Sequence, residues 1–496
     1  LRFFSKHTTL FIILLYLLLP LIGFWRNFDF SGINLTFFDA DFTGFYFPDF
    51  IYGSKLLKDL VNLKPVSEMF WDPYNLFGIP LLGAIDRIGL FYPIKFLFYL
   101  LSLFFSKNVL IYLATYYSLF HMSLAGMFTY LFARRCLKFN TFPAFVAGVV
   151  YSMSGSFLHL MVFSNILTGP TFLPLQLYLF YSAVDRKSLK HALFAGITLS
   201  PILLAGYFPM FFYNNIFIFI FLGFLFIKSL DSFIKVIKYY LIGNVTAVLL
   251  SAVVLLPNIE VSGFAQRQAF NLVGSAGFPF TPDNLLNYFI PHFFGIDKSG
   301  TVFGYLGVIS LIILSVGITR ISQSSVKVFT LTGLLFFVLS LGNVTFLHSL
   351  AYKLIPFYGG FRRTSFLHYL VSFSLAIVIA YVIKLLQERK IEGLLIVRRA
   401  AFFLTGGFIL WITLFIIRPF AVSPPMITTL NDMIQATTLF LVFSAASFIF
   451  FKYAYEEKPA FPYFEIFFVI VLMLDLFTLN MRATGTNSDY DPRLFN

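Results

Sequence analysis

The stretch Phe402-Phe403-Leu404-Thr405-Gly406-Gly407-Phe408-Ile409-Leu410-Trp411-Ile412-Thr413-Leu414-Phe415-Ile416-Ile417 carries no charge and no strand-like alternation. Such a run suits a helix that crosses a hydrocarbon core about 30 Å thick, where every backbone group must be satisfied within the segment. Barrel strands would instead alternate in polarity over segments of ~10 residues. Ile216–Ile227 reads the same way, and similar runs recur along the chain.

Composition agrees. Of 496 residues, 59% are hydrophobic, 20% aromatic and only 11% charged, with a mean hydropathy of +0.86. A soluble chain carries roughly 25% charged residues. The expected fold class is therefore an all-α polytopic membrane protein. The net charge of +13 does not point to nucleic acid, because Lys and Arg sit in short clusters between apolar spans, where the positive-inside rule puts them. The single cysteine, Cys136, excludes an intrachain disulfide. No small-residue cleavage site follows Leu10–Phe24, which reads as the first membrane helix rather than a leader.

Charge clusters and turn residues predict thirteen helices, near 8–25, 109–133, 142–158, 166–184, 191–206, 209–228, 238–256, 302–319, 327–341, 367–386, 400–417, 434–451 and 463–481. With the N-terminus cytoplasmic, the short segments on that side hold about 20 of the 35 Lys and Arg, among them Arg134, Arg135, Lys187, Arg389, Lys390, Arg398 and Arg399. Ile88–Phe105 is apolar, yet counting it as a crossing would carry Arg134 and Arg135 outside. It reads as an interfacial or re-entrant helix. The long connections 26–108, 257–301, 342–366 and 418–433, with the tail 482–496, then face outward. They are rich in aromatics, Pro and Gly, and are expected to form an external cap.

Two clusters in this cap could carry chemistry. Phe38-Asp39-Ala40-Asp41-Phe42 places two carboxylates at i and i+2, which in extended backbone point to opposite faces. One can act while the other orients it or holds a divalent cation, Mg²⁺ or Mn²⁺, the one cofactor this pair would admit. Phe37, Phe45 and Tyr46 nearby would desolvate the acids toward general-base use; the plain alternative is two solvated loop acids. The second cluster is Tyr358-Gly359-Gly360-Phe361-Arg362-Arg363-Thr364. Adjacent guanidinium groups suit phosphate, or equally a lipid head group. Arg267, His159 and His292 are further external polar groups. No two histidines have zinc-site spacing, and a lone His is more often structural. Asp475, inside the last span, is a functional candidate by its burial cost alone. The chain has no P-loop, dinucleotide fingerprint, nucleophile elbow or His-Glu-x-x-His, so an enzyme here would draw its substrates from the lipid.

Taken in order, several short motifs resemble the YfhO-type bacterial membrane proteins, which belong with glycosyltransferases of the GT-C type. They are Asp41 through Tyr46 with Pro48, Trp71-Asp72-Pro73-Tyr74-Asn75-Leu76-Phe77-Gly78-Ile79-Pro80-Leu81, Phe91-Tyr92-Pro93, Tyr151 to Gly155 with His159, and Leu173-Pro174-Leu175. Next come Ala205-Gly206-Tyr207, Leu256-Pro257 with Arg267, Tyr305-Leu306-Gly307, Leu341-Gly342-Asn343, Pro356 to Arg363, and Asp475-Leu476 with Asn480. Two positions depart from the family pattern: Phe45, where Gln is common, and Arg362-Arg363-Thr364-Ser365, in place of Arg-x-Pro-x-Arg. The resemblance implies a GT-C-like fold and a polyprenyl-phosphate-linked sugar as donor. It also implies Asp41 as catalytic acid/base, with Asp39 supporting it or binding a cation. The residues expected to bind substrate are Arg362, Arg363, Arg267, His159, His292, Trp71 and Tyr46. The expected function is sugar transfer to a cell-envelope polymer, lipid or protein at the external face of a prokaryotic plasma membrane, with membrane lipids and no nucleic acid as partners. The rival readings are a lipid or lipid-linked-sugar transporter and an inactive assembly scaffold.

Overall fold

The computed structural model describes residues 8–24, 41–64, 71–72, 78–80, 88–106, 109–262, 271–277, 279–295, 303–355, 358–361, 363–456 and 464–483. Asp39, Arg267 and Arg362, and the tail from residue 484 onward, lie outside them. The first half of the chain folds into α1 (Thr8–Gly23), α2 (Phe47–Val61), α3 (Pro93–Ser102), α4 (Leu110–Arg135), α5 (Thr141–Ser152), α6 (Gly155–Leu160), α7 (Thr168–Asp185), α8 (Leu189–Leu204), α9 (Phe208–Phe226) and α10 (Leu230–Leu250). The second half adds α11 (Ala252–Ser262), α12 (Leu272–Ser275), α13 (Val308–Gly317), α14 (Ser324–Ser340), α15 (Phe346–Leu354), α16 (His368–Gln387), α17 (Gly393–Ile417), α18 (Pro424–Glu456) and α19 (Phe464–Ala483). Among the described residues, the one strand pairing is a two-residue antiparallel bridge, Trp71–Asp72 (β1) with Ile79–Pro80 (β2).

The fold is that of an all-α membrane protein. Among the described residues, five helices or helical runs are long and apolar enough to cross a bilayer, or six if α13 and α14, bent by 115° at their junction, are counted as one span. The thirteen crossings expected from sequence therefore meet the length and apolarity of a span in fewer than half the cases. Helix α13 has 10 residues, about 15 Å of rise and half the bilayer core.

Helix α16 is the hub: 89% of its apolar window lies inside the protein, against 17% for α17. It packs on α5, α13 and α14, while α4 joins α5 to α1 and α7, and the α17–α18 hairpin attaches through α13 and α19. Deep polar side chains answer one another. Asn214 donates to the Gly169 carbonyl and to Gln176 Oε1, both at 2.9 Å, and accepts the Tyr369 hydroxyl at 2.5 Å.

Boundaries differ from expectation for local reasons. The expected 142–158 helix breaks because the Ser154 hydroxyl accepts the Phe157 N–H and starts α6 afresh. Helix α10 starts at Leu230 rather than 238, behind a Ser229–Ser232 capping box; its charged first turns, with Asp231, Lys235 and Lys238, hid that start from a reading by apolarity. Asp41 is helical (φ −68°, ψ −38°) rather than extended, and leads into a π-helical turn, Phe42–Tyr46, and then α2.

Contacts between connecting segments sort the bundle into two faces. On one, Gln323 donates to the Leu137 carbonyl at 3.3 Å, Lys384 lies over the Phe139 ring, and Gln387 donates to Glu465 at 3.1 Å. On the other, the Gly155 N–H donates to the Tyr305 carbonyl at 2.9 Å, Phe280 to Ser340 at 3.0 Å, and Arg363 to Gly277 at 2.8 Å.

Two expectations follow. At Gly148 an added Cβ would lie 2.5 Å from the Gly126 carbonyl oxygen, whereas Gly406 has nothing within 4 Å. Gly148→Leu should destabilise the purified protein by about 1–3 kcal/mol or more through overpacking, and Gly406→Leu should leave its melting temperature unchanged. His348 holds α15 to α12 and to the turn that follows it, contacting Ser275 and Tyr358 at 3.1 Å each. Burial lowers its pKa from 6.5. Below about pH 6.5 the unfolded chain takes up a proton that the folded one resists, so this anchor weakens as pH falls. Thermal melts between pH 7.5 and 5 should show a loss that His348→Gln reduces.

Candidate functional site

The second face gathers a site from segments far apart in sequence. Asp41 stands at the head of the π-helical turn, a feature frequent at functional sites. Its carboxylate Oδ2 lies 3.8 Å from Nη2 of Arg363, with side chains 37% and 35% exposed. The separation exceeds a hydrogen-bonded ion pair, and both groups reach the surface.

Arg363 is held with care. It adopts left-handed backbone (φ 74°, ψ 68°), which costs a non-glycine residue roughly 1–2 kcal/mol, and its N–H is fixed on the Gly277 carbonyl at 2.8 Å. Thr364 follows, buried, its hydroxyl on the Ser340 carbonyl at 3.2 Å. The guanidinium lies over two rings, 5.5 Å from the centroid of Phe163 and 5.4 Å from Phe366. Tyr46 meets Phe163 edge-on at 5.8 Å, and His159 touches Phe163, Phe303 and Phe366 at 5.6, 4.2 and 6.0 Å. Tyr207 closes the wall against Phe366 at 6.4 Å. Burial pushes the Tyr207 phenol up to about 12, opposed by the charge of Arg363, so at neutral pH it is a hydrogen-bond donor.

Four of the expected residues, Asp41, Tyr46, His159 and Arg363, thus converge. Trp71 and His292 do not join them. The Trp71 ring lies over Gly78 within its own β-bridge, where an added Cβ would sit 2.6 Å from it; among the described residues nothing links it to the pair. His292 lines a separate small cavity of about 20 Å³ with Tyr305, Thr478 and Asp475. Asp475 is buried, accepting the Tyr305 hydroxyl and the Val308 N–H, the latter at 2.6 Å. His121, His348 and His368 are all hydrogen-bonded in the interior. Phe163, Phe366 and Tyr207 escaped notice as site residues; Tyr207 alone carried a signal, as the end of Ala205-Gly206-Tyr207.

Of the expected cation pair, Asp39 lies outside the described residues; Asp41 faces a guanidinium, and no group of three or more His, Cys, Asp or Glu gathers among the described residues. A more suggestive neighbour is apolar. Between α9, α14 and α15 lies a cavity of about 220 Å³ lined by Tyr213, Phe336, Leu339, Leu347, Tyr358 and Leu367 among others. Tyr358 and Leu367 flank Arg363 in sequence, and Phe361 packs on Phe212 and Tyr213 at 4.8 and 5.6 Å. The cationic group and the apolar cavity therefore share one short segment.

No protein-family model matches the chain, and no curated protein is significantly similar to it.

An exposed pair of this geometry contributes little to stability. A double-mutant cycle of Asp41→Asn and Arg363→Gln, read by thermal or denaturant unfolding, should give a coupling of no more than about 1 kcal/mol. A coupling near 3 kcal/mol would mark the pair as a structural clasp.

Proposed function

We propose that this protein is a membrane glycosyltransferase that moves a sugar from a polyprenyl-phosphate carrier to a hydroxyl of a cell-envelope polymer, lipid or protein. The observation that carries the reading is the Asp41–Arg363 pair, a solvent-reached carboxylate and guanidinium 3.8 Å apart, joined through residues 358–367 to an apolar cavity. In this reading the face bearing the pair is external, the basic face is cytoplasmic, and the thirteen segments cross or enter the membrane in alternation with the N-terminus inside.

Transfer proceeds with inversion. The Asp41 carboxylate takes the proton of the acceptor hydroxyl as its oxygen attacks the anomeric carbon. The bond from that carbon to the phosphate oxygen breaks, and its electron pair leaves with the polyprenyl phosphate. Arg363 receives the growing charge through forked N–H donors, and the Tyr207 phenol stands beside it as a further donor. The phosphate departs ionised, so no general acid is required. The cavity between α9, α14 and α15 accepts part of the isoprenoid chain.

The test is sugar transfer or slow donor hydrolysis by the purified protein, measured with a radiolabelled panel of short-chain polyprenyl-phosphate sugars. The wild-type protein should turn over at least one donor, and Asp41→Asn should lower that turnover by about 10²–10⁴-fold. Equal turnover by both proteins would remove Asp41 from the chemistry. Binding without turnover by either would favour lipid transport.

A further inference from the structure

Helix α8 runs from one face of the bundle to the other. Its far end leads into Tyr207, in the wall of the Asp41–Arg363 site, so its first turn, with Lys190, stands on the opposite, basic face. Helix α10 lies beside it. A Cβ added at Gly243 would lie 3.3 Å from the Ala192 carbonyl oxygen, and the Ser251 hydroxyl donates to the Ser200 carbonyl at 3.3 Å. Both pairings have the same sequence offset, so the two helices run parallel. On that register Lys190 and Lys238 stand within one helical turn of the same depth.

Glycine makes the contact close: a Cβ at Gly196 would lie 2.4 Å from the Gly243 carbonyl oxygen. Helices α7 and α9 cover the pair from one side. Tyr240 of α10 meets Phe180 of α7 and Phe219 of α9 at 5.8 and 5.4 Å, and Ala195 and Leu199 of α8 are buried. At about 100° per residue, Leu193 and Ile197 of α8 and Val245 and Leu249 of α10 fall on the other side, where all four are exposed. Lys190 and Lys238, also exposed, fall on that side at the end of this apolar furrow.

Residues 109–262 are described without a break, and α8 and α10 pack on α7, α9 and α11 within them. Segment 185–241 carries six basic residues against two acids, Asp185 and Asp231, and neither acid enters an ion pair among the described residues. Lysines that begin a lipid-facing apolar stripe reach head-group depth. A soluble anion would satisfy the ammonium groups and leave the furrow bare. A phospholipid matches both, phosphate to the lysines and hydrocarbon to the furrow.

We infer that the α8–α10 furrow binds one anionic phospholipid of the surrounding bilayer, its phosphate between Lys190 and Lys238 and an acyl chain along Leu193, Ile197, Val245 and Leu249. The site lies on the face opposite the Asp41–Arg363 pair and does not depend on the sugar-transfer reading.

The experiment is native mass spectrometry of the purified full chain, titrated with phosphatidylglycerol or with phosphatidylcholine of the same acyl chains. The variants are Lys190→Gln with Lys238→Gln and, as a control elsewhere on the basic face, Arg398→Gln with Arg399→Gln. All four side chains are exposed, so both double variants should keep the wild-type melting temperature. The first phosphatidylglycerol should bind the lysine variant about thirtyfold more weakly than wild type and the arginine variant as tightly. Phosphatidylcholine should bind wild type about as weakly as phosphatidylglycerol binds the lysine variant, and glycerol 3-phosphate in large excess should displace neither lipid. Equal phosphatidylglycerol affinity in wild type and the lysine variant would overturn the site. An equal loss in the arginine variant would overturn it too, as the mark of a general surface attraction. Equal affinity of wild type for the two lipids would overturn the preference for an anionic head group, and displacement by glycerol 3-phosphate the assignment to a lipid.

Discussion

A carboxyl group cannot be left without donors inside a membrane bundle, and Asp475 is 3% exposed in the middle of α19. Its two oxygens are met by the Tyr305 hydroxyl and the Val308 N–H. That N–H opens α13, so the acid also sits at the positive end of a helix. The geometry needs Gly307 (φ 90°), where a side chain would be strained and would press on Leu472 and Asp475 itself. Segment 303–308 is therefore fixed in place, and other contacts use it. The Gly155 N–H docks on the Tyr305 carbonyl, Ser156 on the Phe303 carbonyl and on Ser372, and the Phe303 ring rests against His159. A buried acid on the last helix thus sets one wall of the Asp41–Arg363 site.

The opposite wall is set by backbone. Arg363 can hold its left-handed conformation because Gly277 takes its N–H and Ser340 takes the Thr364 hydroxyl. The guanidinium then lies over Phe163 and Phe366 with little freedom, which lowers the entropy lost when it binds a partner. The exposed carboxylate of Asp41 is carried on a π-helical turn that α2 extends, and Phe50 and Gly53 of α2 pack on Tyr99 of α3. Asp41 is thus carried by a helical turn, and Arg363 by the hydrogen bonds of its own backbone and of Thr364.

Much of this was legible in the sequence, for identifiable reasons. Apolar runs pointed to most of the long helices, and acids among aromatics and arginines after a Gly-Gly turn singled out Asp41 and Arg363, which the structure brings within 3.8 Å. Helix α2 was passed over because Lys55, Lys58 and Asp59 made it look like loop. Its signal was present all the same, since Phe47, Phe50, Ser54 and Leu57 are buried at helical spacing. What the sequence could not disclose is closure: that Phe163, Tyr207 and Phe366 meet around one guanidinium depends on α6 to α9 and α16 ending on the same face.

Where the polar groups are satisfied also bears on the choice between chemistry and passage. A transport route needs polar groups at depth that a solute can approach. Here several deep ones are closed upon each other: Asn214 with Gln176 and Tyr369, Gln176 with the Thr198 carbonyl at 2.9 Å, and Asp475 with Tyr305 and Val308. Oδ1 of Asn165 and of Asn215 and the hydroxyls of Ser310, Ser444 and Ser447 meet no partner among the described residues. Opening any of the closed networks would expose a group whose desolvation is already offset, at about 1–3 kcal/mol each. The Asp41–Arg363 pair is the reverse case, both charges reaching the surface and separated by more than a hydrogen bond. A ligand can reach both from solvent. In the proposed reading, chemistry at this exposed pair leaves those closed networks undisturbed, where a path through the bundle would have to open them.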